Sequence, residues 1–169
     1  MAVLDLVTYP DPRLRQECRV VEHFDDALRG FIAELEETMR SRPGGVGIAA
    51  PQVGRLIRVA LVDTSGKPKH ANHGRLVMAN PEILEWKGMS LGREGCMSVP
   101  DFTGSVIRAK KIRVQFRDEH GAQHEISSAG YEARAIQHEL DHLDGLLFLD
   151  KLVSRRADLA ARQNPSPDA

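Results

Sequence analysis

A basic excess, a long apolar run and a set of pairable cysteines are all missing from this chain of 169 residues. Lys and Arg total 23 against 24 for Asp and Glu, a net charge of -1. That balance argues against a dedicated nucleic-acid binder, and no specific DNA contact is expected. No stretch approaches the ~18 apolar residues of a membrane span. Met1-Ala2-Val3-Leu4-Asp5 lacks a basic region followed by an apolar one, so no secretory signal is expected. Cysteine is limited to Cys18 and Cys96, which suits two free thiols in a reducing cytoplasm better than a disulfide scaffold. What is present is 41% hydrophobic and 28% charged residues, which excludes wholesale disorder. A chain of this length makes one domain and can bury roughly 70% of its unfolded surface without cross-links.

Periodicity and turn residues predict an α+β fold. Asp25 or Asp26 can cap a helix whose apolar residues Leu28, Phe31, Ile32, Leu35 and Met39 share one face, and Pro43-Gly44-Gly45 ends it. Strands are expected around Leu56–Leu61 and from Leu76 to Leu84, the second interrupted by Pro81. Lys67 to Gly74 reads as an exposed loop. Ile112, Val114 and Phe116 alternate with polar residues, and Asp118-Glu119-His120-Gly121 turns that strand into Gln123–Ser127. Tyr131 to Leu143 contains neither Pro nor Gly, and Gly145 supplies a stop, so this is the second helix. Residues 1–150 are expected to form one catalytic domain. Residues 151–169 carry Arg155, Arg156 and Arg162 and are expected to form a short solvated helix with a frayed end; the ribosome surface is a candidate partner for it.

The second helix holds the sharpest motif. His138-Glu139-Leu140-Asp141-His142 matches H-E-x-x-H, and four residues of α-helix turn through about 400°, so both imidazoles stack on one face and can share a metal. Glu139 adjoins the first ligand, within reach of a water beside the metal whose proton a carboxylate can accept. Two imidazoles leave the set one ligand short of the usual three. A continuation H-x-x-G-x-x-H fails because Phe148 stands at its last position, and after His142 there is no Glu and no His. A metallopeptidase of the kind that takes a downstream Glu is therefore disfavoured, and the third ligand is sought upstream. Cys18, His23, His70, His73, Cys96, His120 and His124 are available. Cys18 lies in a polar-looking segment, whereas Cys96 stands out within Glu94-Gly95-Cys96-Met97-Ser98-Val99-Pro100, where Gly95 permits close backbone approach.

Three segments together resemble the peptide deformylases. Gly45-Val46-Gly47-Ile48-Ala49-Ala50-Pro51-Gln52 is similar to the family's first motif, Glu94-Gly95-Cys96-Met97-Ser98 to its second, and Gln137-His138-Glu139-Leu140-Asp141-His142 to its third. The resemblance runs from about Thr8 to Lys151 and implies antiparallel strands around a central metal-binding helix. It implies hydrolysis of the N-formyl group from the initiator methionine of nascent polypeptides, with release of formate. Cys96, His138 and His142 would hold one divalent metal, iron(II) in cells, with zinc, nickel or cobalt able to replace it. Glu139 would be general base and then acid. The Gln52 amide and the Met97 backbone N–H would stabilise the oxyanion. Val46, Gly47, Glu94 and Gly95 would line the peptide, which adds as a strand, and Glu94 would pair with Arg108. Met97 stands where the motif more often has Leu, and Arg134 brings a charge where relatives often carry an apolar residue. A domain of this kind that binds metal without turnover is the alternative; the intact Glu139 speaks against it.

Overall fold

A computed structural model describes residues 2–67, 69–154 and 160–161. Helix α1 spans Asp26–Arg40, and Asp25 caps it by accepting from the Leu28 N–H at 2.9 Å. Strands β1 (Gly47–Ala49), β2 (Val59–Asp63) and β3 (Arg75–Lys87) follow. Then come β4 (Ser90–Cys96), β5 (Val99–Arg108), β6 (Lys111–Arg117) and β7 (Gln123–Ala129). Helix α2 spans Gly130–Leu143, and β8 is the pair Ala160–Ala161. All sheet pairings are antiparallel, in one sheet of order β1-β2-β3-β6-β7 and a second of order β4-β5-β8. Among the described residues, no helix is long and apolar enough to cross a membrane.

The period-2 alternation of strands explains why the larger sheet is apolar on both faces. Val59, Leu61, Val77 and Ala79 point toward Leu28, Phe31, Ile32, Leu35 and Met39 of α1. Ala60, Val62, Leu76 and Met78 point the other way, toward Ala133, Ile136, Leu140 and Leu143 of α2. The sheet is thus clamped between the two helices. With one face of α2 committed to that core, the opposite face, bearing His138 and His142, meets the smaller sheet. There Cys96, Val99, Val106, Leu147 and Phe148 form a third apolar cluster.

Several expectations shift. Leu56 and Ile57 precede β2 rather than belonging to it; Ile57 makes an isolated bridge to Arg19. β3 runs unbroken through Pro81 because a bulge beside Asn80, at φ 50, absorbs the missing donor. Asn80 also clasps the N-terminal segment, accepting from Val21 N–H and donating to Val21 O. Cys18 is buried, not solvated, and its N–H donates to Leu143 O. β4 and β5 were not anticipated as strands. The expected C-terminal helix falls mostly outside the described residues; where described, Leu152 bridges Val106 and Ala160–Ala161 pair with Phe102–Thr103 as strand. Gly145 ends α2 at φ +74, and a Cβ there would stand 2.5 Å from Arg15 O, so that position requires glycine.

Candidate metal centre and active site

Cys96 closes β4, at the two-residue Met97–Ser98 turn into β5. This brings its Sγ to 3.3 Å from His142 Nε2. Donor atoms of Cys96, His138 and His142 all lie within 4.8 Å of one another, and all three residues are buried. Among the upstream candidates, only Cys96 joins the helix pair among the described residues. His120 and His124 sit at the far β6–β7 turn, and Phe148 stacks on the His138 ring at 6.3 Å.

The donor set fits a divalent transition metal. One thiolate and two imidazoles form a borderline-soft trio that leaves a fourth position open. A buried polar atom agrees: among the described residues Glu139 Oε1, on the same cavity wall, has no hydrogen-bond partner. Burial, reinforced by the nearby His138 and Arg108 charges, pushes His142 well below the usual imidazole range. His138 directs Nδ1 to Glu94 Oε1 at 2.8 Å, which leaves Nε2 for the metal.

Glu94 anchors this arrangement. Arg108 donates to both its oxygens at 2.9 Å, and Arg134 Nη1 donates to Oε2 at 2.7 Å. Burial pushes the Glu94 carboxyl up, but the hydrogen bonds from Arg108 and His138 outweigh it and hold the group well below the usual carboxylate range. Arg108 also pairs with Asp141, one residue before the second histidine. The Glu94–Arg108 pairing appears as expected. Glu94 borders the cavity beside the donors, but both its oxygens are taken by three partners, so its carboxylate serves to orient His138. Sequence reasoning missed Arg134 and Asp141 in this network. Arg134 reaches Ser90 O and Val106 O as well, lashing α2 to β4 and β5, and it lies against Gly92, where a Cβ would stand 2.9 Å from its Cζ. The i, i+4, i+7 spacing of Arg134, His138 and Asp141 along one helical face was the available signal.

Glu139 lies between α2 and β1. A Cβ at Gly47 would stand 2.5 Å from Glu139 Oε2, so the glycine gives the carboxylate its place. Burial, partly offset by the His138 charge, pushes Glu139 up to about 7. Gln52, on the short 3₁₀ turn Ala50–Val53, accepts from Ala49 N–H at 2.9 Å through Oε1. That fixes the amide so that Nε2 points to Ser98 Oγ at 3.1 Å and Cys96 Sγ at 3.6 Å. The Met97 side chain packs into the α1 core. Met97 borders a cavity of about 160 Å³ that Val46, Gly47, Gln52, Glu94, Gly95, Cys96, His138 and Glu139 also line. β1 and β4, which flank it, are both edge strands.

The family model described as polypeptide deformylase matches residues 3–158. A peptide deformylase of Syntrophobacter fumaroxidans is 41% identical over 163 residues, 96% of this chain and 94% of that protein. The crystal structure of a peptide deformylase from Legionella pneumophila superposes with a TM-score of 0.83 at 37% identity, covering 91% of this chain and 89% of that one. A class I type b peptide deformylase from Acinetobacter baumannii, crystallised with Met-Ala-Ser bound, gives 0.82 at 37% identity, covering 89% and 98%.

Proposed function

The chain belongs to the polypeptide deformylase family, and on that premise we propose that it hydrolyses the N-formyl group of formylmethionyl nascent polypeptides in the cytoplasm, yielding formate and a free amino terminus. The observation that carries this reading is the convergence of Cys96, His138 and His142 beside a buried carboxylate and a fixed amide. Residues 1–150 form the catalytic unit.

Cys96 Sγ, His138 Nε2 and His142 Nε2 would hold the metal. Bound there, a divalent cation supplies Lewis acidity and lowers the pKa of water toward neutrality. Glu139 accepts a proton from the attacking water; a carboxyl with a pKa displaced upward by burial is suited to take a proton and return it. The water oxygen bonds to the formyl carbon, and the C–N bond breaks as Glu139 passes the proton to the departing amine. Gln52 Nε2 and the Met97 N–H stabilise the negative charge that develops on the formyl oxygen; donors of this kind are worth about 3–4 kcal/mol each. Val46, Gly47 and Gly95 offer main-chain groups at two strand edges, so a peptide is held through its backbone. Such binding tolerates varied sequences, as an enzyme acting on many nascent chains requires.

The test is formate release from a formyl-Met peptide by anaerobically purified protein. Equimolar formate and free methionyl amine are expected. Metal-loaded protein that releases no formate would leave a binding domain without turnover. Within this reading, the resident ion is iron(II): the iron form should lose activity in air faster than nickel- or cobalt-loaded protein, through oxidation of the ion and of the Cys96 thiolate. Equal half-lives reject iron.

A further inference from the structure

Arg93 carries a charge that the hydrolysis does not use. It stands on the outward face of β4 with Leu91 and Gly95, all exposed, while its neighbour Glu94 turns inward. Two neutral oxygens hold its guanidinium: Nη2 donates to Thr103 Oγ1 at 3.0 Å and Nη1 to Ser105 Oγ at 3.4 Å. Ser105 is Arg93's direct partner across the β4–β5 ladder, and Thr103 is the partner of Gly95. Both oxygens belong to β5, so the guanidinium lies over the β4–β5 ladder, with Thr103 offset toward Cys96, and Arg93 is part of the cavity wall.

Other charges in this wall are answered. Glu94 is taken by Arg108, Arg134 and His138, and Arg134 is answered by Glu94. No carboxylate pairs with Arg93 among the described residues. The opposite lip is also basic. Gly44, Gly45 and Val46 are shared with a second depression that includes Arg40 and Lys67, where Asp63 is already bound by Arg40. Lys67 Nζ stands 5.4 Å from the Tyr131 ring centroid, and Tyr131 lines the first cavity. A peptide lying along the β4 edge advances about 3.3 Å per residue. Starting beside Cys96, it passes Arg93 within its first few residues, and a peptide residue beside Arg93 on the outward face is a cross-strand neighbour, about 5 Å away between Cβ atoms.

We propose that Arg93 is a specificity-determining residue that recognises an acidic side chain on the second or third residue of the formylated substrate. This rests on the deformylase reading. To meet a carboxylate there the guanidinium leaves its two neutral hydroxyls on β5 and exchanges them for a charge-assisted pair. The pair is exposed, so the preference is modest and sensitive to salt.

The experiment compares kcat/KM for formate release from formyl-Met-Asp-Ala amide and formyl-Met-Asn-Ala amide, and from the pair with Asp or Asn in third place. The blocked carboxyl terminus leaves the side chain as the sole carboxylate. At low salt the wild type should favour Asp over its near-isosteric amide about threefold to fivefold at one of the two positions, through KM. The ratio should fall to about one in Arg93→Gln, survive in part in Arg93→Lys, and shrink with added salt. A wild-type ratio of one at both positions, or an undiminished ratio in Arg93→Gln, overturns the proposal while formate release keeps the deformylase reading intact. No formate from any of the peptides overturns both.

Discussion

A methyl group at residue 47 moves the carboxylate of Glu139 without altering its chemistry. Gly47 lies in β1 outside the left-handed region, so alanine is not strained by its backbone. Its Cβ would stand 2.5 Å from Glu139 Oε2, 2.9 Å from Cγ and 3.0 Å from Cδ, whereas ordinary contact begins near 3.4 Å. The obstructing atoms are the end of a side chain rather than backbone, so the carboxylate retreats and the fold survives. The displacement is about 1 Å, and misplacement on that scale costs about 10²-fold in rate, or ~2.7 kcal/mol of barrier.

Gly47→Ala should therefore melt close to the wild-type temperature, retain one metal per chain and lose about 10²-fold in kcat. KM is free to rise as well, because β1 is also an edge to which the proposed peptide would add, so a second substitution isolates the carboxylate. Glu139→Asp withdraws the same group by one methylene. If crowding is the cause, Glu139→Asp should cost less in the Gly47→Ala background than in the wild type, giving a non-additive double-mutant cycle. Kinetics of formate release, metal analysis and thermal melts on the four proteins decide it. Full kcat in Gly47→Ala, or strictly additive losses, would refute the reasoning.

Two further predictions separate chemistry from metal binding. Glu139→Gln preserves size but cannot take a proton, so it should fold, hold close to one metal per chain, bind formyl-Met peptide, and lose at least ~10²-fold in turnover; an active variant would mean another group takes the proton. Cys96→Ala should lose most metal and activity together, whereas Cys18→Ala should keep the metal, because Cys18 is packed among Ala49, Ala60 and Leu143 away from the donor cluster. Metal retained by Cys96→Ala and lost by Cys18→Ala would reverse the ligand assignment.

What could be read from the sequence was local in origin. The His138/His142 pairing follows from helical periodicity, and the α1 cap from Asp25 at the head of an amphipathic run. Tertiary features were less accessible. Ser90–Arg108 is rich in glycine and charge, and its alternation is hidden because Glu94 and Arg108 occupy inward positions while Leu91, Phe102 and Ile107 are exposed; periodicity therefore missed both strands. Cys18 lies in a segment that looks polar in sequence, yet that segment docks on the end of α2 through a backbone bond to Leu143. Helical spacing puts Arg134 on the face of His138, but its partners Glu94, Ser90 and Val106 come from a separate sheet and are not legible from the helix alone.

Two costly features of this fold become intelligible through the site. A buried ion network of Glu94, Arg108 and Asp141 is weak evidence for stability, since desolvating such charges offsets much of their attraction. Its geometry serves orientation instead: Glu94 fixes His138 Nδ1, and Arg108 fixes both Glu94 and the Asp141 next to His142. Unpaired strand edges are likewise a liability for a soluble chain. The two edges beside the cavity are β1, only three residues long, and β4, which carries Arg93 and the small residues Gly92 and Gly95. A short edge and a charged one discourage pairing with another sheet while leaving room for a single extended peptide. Cys96, His138 and residues of both edges line one cavity, so in the proposed reaction the backbone groups that would hold the peptide would also bring its formyl group to the donors.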